Sequence, residues 1–151
     1  HHARRRVVCE VLLSNTTTSM ARTGERNELM RRMNDEIRTH INNCFVEARA
    51  ARHQRDWIQC WFLLETAHIL SQPWAWMHVR VHGSMFVTAI VQRDVREIRG
   101  QLSRIAVAGP GSLSGRYPTG NTGRARVPAT QPMPIAGELA MVIQRAGQRI
   151  D

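Results

Sequence analysis

A chain of 151 residues carrying a net charge of +9 has room for one domain with a sizeable core. Every one of its 21 basic residues is Arg, and no compact Arg run is interleaved with aromatics, so a nucleic-acid partner is not expected. Cys9, Cys44 and Cys60 stand apart, which excludes a CxxC zinc knuckle and argues against a disulfide-built scaffold. No apolar run reaches membrane-span length and no signal-peptide pattern is present, so the expected location is the cytoplasm.

Residues 1–32 have poor periodicity, with a loop-like NTTTS at 15–19. They read as an extension dispensable for folding, with at most an accessory helix over 22–32. From about residue 34 to 53, Ile37, Ile41, Cys44, Ala48 and Ala51 form an apolar stripe at helical spacing. Gln54-Arg55-Asp56 then marks a tight turn. Trp57, Cys60, Leu64 and Ala67 make the stripe of a second helix. Pro73 suits the first turn of a third helix, about 73–91, whose stripe is Met77, Val81, Met85 and Thr88. The tripeptide returns as Gln92-Arg93-Asp94, an offset of 38 residues, and is followed by Val95, Ile98, Leu102 and Ile105. Each Asp can cap its helix, and Gln59 or Glu97 can complete a capping box. The expected fold is therefore all-α. It consists of two antiparallel hairpins, tetratricopeptide-like, over residues 33–105.

Seven of the ten Gly and five of the six Pro fall in 106–151, so an irregular segment is expected to follow. Leu113, Tyr117, Val127, Met133 and Ile135 offer anchors by which it could wrap the helices. Ile135, Leu139, Val142, Ile143 and Ala146 then predict a short last helix that stops near Gly147.

Chemistry concentrates in ETAHILSQPWAWMHVRVH, Glu65 to His82. Glu65 and His68 are three apart, and His78 and His82 four apart; both spacings keep a pair on one helical face. On neighbouring helices the two pairs could converge on a metal, zinc or iron, with His40, Glu47 and Glu97 as further donors. The competing reading makes these residues inter-helix or surface polar contacts, since both spacings arise readily by chance. It is the reading preferred from sequence. Trp57 and Trp61 share a helical face and read as core, whereas Trp74 and Trp76 flank a linker and are candidate partner contacts. Gly120-Asn121-Thr122-Gly123 resembles an anion nest beside Arg116, Arg124 and Arg126, but reads better as turns. Ser71 and Ser84 lie near histidines, yet no nucleophile elbow or triad is legible.

The strings LLETAHILSQ, HVRVHGSM, the QRD-to-GQLSRI stretch, GRYPTGNTG and QPMPI, in this order, resemble the bacterial family catalogued as domain of unknown function 3703, over roughly Met33 to Leu139. The resemblance brings no assigned catalytic residue and implies no mechanism. The family's helix-joining turn usually contains Gly, where this chain has Gln54-Arg55 and Gln92-Arg93. The functional expectation is a non-enzymatic interaction module with a protein partner or a second copy of itself. The alternative is a metal-binding protein using Glu and His from adjacent helices.

Overall fold

The computed structural model describes residues 35–114 and 117–145. The expectations for residues 1–32, and for Cys9, fall outside that range. Among the described residues there are five helices and no strand. They are α1 over residues 35–54, α2 Trp57–Ser71, α3 Ala75–Gln92, α4 Val95–Leu113 and α5 Gly137–Arg145. None of them is long and apolar enough to cross a membrane.

The apolar stripe of α1 is buried throughout, and it meets Cys60, Leu64 and Ala67 of α2 and Val81, Met85 and Ala89 of α3 in one core cluster. Ile143 of α5 joins this cluster, with Ile135, Leu139 and Val142 packed against it. Trp61 is buried and donates its indole N–H to Gln92 Oε1 at 2.6 Å.

Two near-identical turns explain the repeated tripeptide. Arg55 and Arg93 adopt left-handed φ values of 60° and 59°. The amide of Arg55 donates to Arg52 O and that of Asp56 to Ala51 O; Arg93 donates to Ile90 O and Asp94 to Ala89 O. This is the Schellman pattern, in which a left-handed residue lets the chain reverse while the last carbonyls stay bonded. Each Asp then starts the next helix, Asp56 accepting from Gln59 N at 3.1 Å and Asp94 from Glu97 N at 3.0 Å. The Glu97 half of the second capping box does not form. Its carboxylate turns inward and accepts from Gln101 Nε2 and Ala125 N.

Three details differ from the periodicity. The third helix starts at Ala75, because Pro73 sits in a turn closed by Trp74 N donating to Ser71 O at 2.9 Å. Irregular chain begins later than residue 106, since α4 runs through Pro110 to Leu113. The face of α4 turned inward is also only in part the Val95-Ile98-Leu102-Ile105 stripe, of which Ile98 packs against the core cluster. Val95 and Leu102 are exposed, whereas Glu97, Gln101, Arg104, Ala108 and Ser112 are buried. A polar helix face is tolerated inside only where its groups find partners, and those partners are the histidines of α2 and α3 and the chain that follows α4.

Candidate metal centre

His68 near the end of α2 and His78 and His82 one turn apart on α3 point into the same space. Their relative exposures are 3%, 6% and 2%. His68 Nε2 lies 2.9 Å from His78 Nε2 and 3.1 Å from His82 Nε2. One ligand atom from each ring can be chosen so that all lie within 4.8 Å of one another. The rings meet edge to face on the His68 side, with centroids 4.7 Å apart in both pairs.

The opposite edge of each ring is held. His68 Nδ1 is 2.8 Å from the carbonyl of Asn121, which can only accept. His78 Nδ1 is 2.8 Å from Ser112 Oγ, whose single hydrogen goes to the Gln72 carbonyl at 2.6 Å. His82 Nδ1 is 2.7 Å from Gln101 Oε1, and that amide is oriented by its own NH2, which donates to Glu97 Oε1 and Gly123 O. All three partners therefore accept, and the network assigns each proton to Nδ1. Three Nε2 lone pairs are left converging, that of His68 in direct contact with the other two, with no hydrogen between them.

Extra protons do not resolve this arrangement at neutral pH. Burial pushes His78 down to about 4 and His82 down to about 3. Burial, followed by the repulsion of His82 and His78, holds His68 well below the usual imidazole range. Neutral imidazoles with free Nε2 and a hydrogen-bonded Nδ1–H are the form that ligates a metal. Zn–N bonds of 2.0–2.1 Å at tetrahedral angles place nitrogens roughly 3.3 Å apart, so outward ring shifts of a few tenths of an ångström would admit an ion.

The loop after α4 completes the enclosure. Gly120 and Gly123 have φ of 75° and 77°, the left-handed turns that Gly permits. Asn121 is buried; its Oδ1 accepts from Gly123 N, and its Nδ2 donates to Pro128 O and Gln131 O. That lock presents the Asn121 carbonyl to His68. A Cβ on Gly123 would come within 2.6 Å of His68 Cδ2 and 2.7 Å of its Nε2, so only Gly lets the loop lie this close to the ring.

Of the four residues with helix-compatible ligand spacing, the fold brings together His68, His78 and His82. Glu65 lies outside the group, bonded to Arg124 at 3.0 Å. Arg124 also reaches Glu97 Oε2 at 3.3 Å and stacks its guanidinium 3.7 Å from the Trp61 ring. His40 and Glu47 are exposed on α1. Glu97 acts at one remove, through Gln101. Trp74 is partly buried against the core, and Trp76 is 77% exposed. Sequence reasoning missed Gln101, Ser112 and the Asn121 carbonyl. The helical spacing of the polar residues Glu97, Gln101, Arg104 and Ser112 along α4 was the available clue.

Among known proteins, the family model described as Protein of unknown function (DUF3703) matches residues 35–143. No curated protein and no solved structure matches the chain.

Proposed function

The chain belongs to this family, whose description carries no activity, and we propose from the site's geometry that it is a metal-binding protein holding one zinc ion on Nε2 of His68, His78 and His82. The observation that carries the reading is the convergence of three buried, proton-free Nε2 lone pairs whose Nδ1–H groups are all engaged. Three imidazoles with a fourth position left for water or a ligand is an ordinary zinc arrangement. Iron is the less favoured ion, since a non-haem iron triad wants a carboxylate and Glu65 is held by Arg124.

Elemental analysis of protein purified without a nickel column tests the reading. We expect about one zinc per chain, lost in the His78→Ala/His82→Ala double variant while the helical spectrum persists. Less than about 0.1 metal per chain after reconstitution with zinc and with iron, unchanged by the substitutions, would defeat it.

A second reading, the interaction module built on tetratricopeptide-like hairpins, is favoured by a separate observation. Trp76 on α3, together with Val87, Ile90 and Val91 on α3 and Val95 and Leu102 on α4, leaves apolar surface exposed. Sedimentation of the wild type against Trp76→Ser and Ile90→Ser tests for self-association through it. A monomer at all concentrations removes the homo-oligomer version.

A further inference from the structure

Beside the three imidazoles lies a cavity of about 390 Å³, and the rings form part of its wall. Most of the remaining wall is apolar, including Val107, Ala108, Tyr117, Pro118 and Ala129. Its one formal charge is Arg104. This side chain is only 9% exposed, and its positive charge is felt at both His68 and His82. Its Nη2 donates to the carbonyls of Arg124 and Val127, and its Nη1 to that of Gly100, the last at 3.4 Å. Three of the five guanidinium N–H groups are thereby used, and two remain. No carboxylate among the described residues forms an ion pair with it; Glu97, bonded to Arg124, acts on it only from beyond ion-pair distance. A buried guanidinium whose hydrogen bonds all go to neutral carbonyls favours an anion nearby. Three neutral imidazoles leave the charge of a divalent ion undiminished, which adds to the same demand.

We propose that the cavity is a ligand site for a small carboxylate with an apolar body, one carboxylate oxygen taking the open position on the ion and the other facing Arg104. The proposal rests on the three-histidine metal reading and adds its ligand. The charge balance selects a monoanionic head, since one cationic side chain and mostly apolar walls suit neither a phosphoester nor a sugar. The volume lies in the lower part of the range for small-molecule pockets, enough for a head group and a short hydrocarbon chain.

Cobalt(II) reports both layers, because its visible spectrum reveals a tetrahedral nitrogen site and responds to a change of the fourth ligand. The full chain loaded with cobalt is titrated with butyrate and, separately, with neutral butyramide. We expect a saturable spectral change with butyrate and none with butyramide. Arg104→Gln is expected to weaken butyrate at least tenfold while keeping cobalt stoichiometry. Because Arg104 also ties down the Arg124 and Val127 carbonyls, a second variant guards against misfolding. Val107→Asp, at an exposed position on the cavity wall, places a negative charge there and should weaken butyrate similarly. A cobalt spectrum that butyrate leaves unchanged, or an equal response to butyramide, would overturn the carboxylate site and leave the metal reading standing. Absence of any tetrahedral cobalt spectrum would remove both.

Discussion

Protonation separates the three histidines from an ordinary buried polar cluster. Their folded pKa values are depressed, His78 to about 4 and His82 to about 3, chiefly by burial, against about 6.5 in the unfolded chain. The unfolded state therefore binds protons that the folded state refuses. The contribution of these groups is fully present above pH 6.5 and is lost as pH falls from there toward about 4 and then 3. Thermal melts of metal-free protein between pH 7.5 and pH 4 should show a falling midpoint, and the His78→Ala/His82→Ala variant should show a shallower fall. Gly123 offers a second test at this scale. Ala there must take a left-handed φ of 77° with its methyl in the His68 ring, so the ring has to swing away. Gly123→Ala should reduce zinc affinity by at least tenfold, read by competition with a chromogenic chelator, and lower the melting midpoint. An unchanged affinity would mean that His68 is not held by the loop.

Among the elements, the helices that bury hydrocarbon were legible and the one that buries polar groups was not. Ile37, Ile41, Cys44, Ala48 and Ala51 repeat at helical spacing and are all inside, because the hydrophobic effect acts on a pattern that single residues display. On α4 the same reasoning selects Val95 and Leu102, which face solvent. Its inward side is chosen by hydrogen bonds that Gln101 and Ser112 accept from rings 19 and 34 residues away, and an apolar stripe cannot reveal them. The repeated turn was legible as a repeat but not as a strained one. Arg55 and Arg93 occupy positions where a side chain costs roughly 1 kcal/mol and Gly does not. Arg93→Gly and Arg55→Gly should each stabilise the protein by up to about 0.5 kcal/mol in denaturant melts, after the entropic cost of Gly in the unfolded chain. A loss of stability would show that the arginine side chains contribute more than the backbone strain removes.

Over the whole molecule, the candidate centre adds polar links to parts of the chain that the apolar core holds only through partly buried residues, Ile98 on α4 and Ile135 after it. α1, α2, α3 and α5 share the core cluster, whereas the inward face of α4 and the loop after it dock largely through Gln101, Ser112, Arg104 and Asn121. Zinc binding only to the folded state should then raise stability by about 4 kcal/mol at a thousandfold excess over its dissociation constant. Calorimetry with and without zinc should show the upward shift in wild type and none in His78→Ala/His82→Ala. The three imidazoles were visible in sequence because two helices display them at fixed spacing. Their supports were not, since a carbonyl such as that of Asn121 belongs to every residue and the pairing spans 53 positions.

The order of these groups along the chain also bears on kinetics. His68 and His82 are only 14 positions apart, with His78 between them, whereas their supports come later, at Gln101, Ser112 and Asn121. During synthesis the complete donor set leaves the ribosome before any residue that orients it. On the zinc reading, an ion met at that stage would be held by the imidazoles alone until the remaining chain arrives. On the zinc reading, opening of the loop over His68 is expected to speed loss of the ion, because it frees the ring that the Asn121 carbonyl holds.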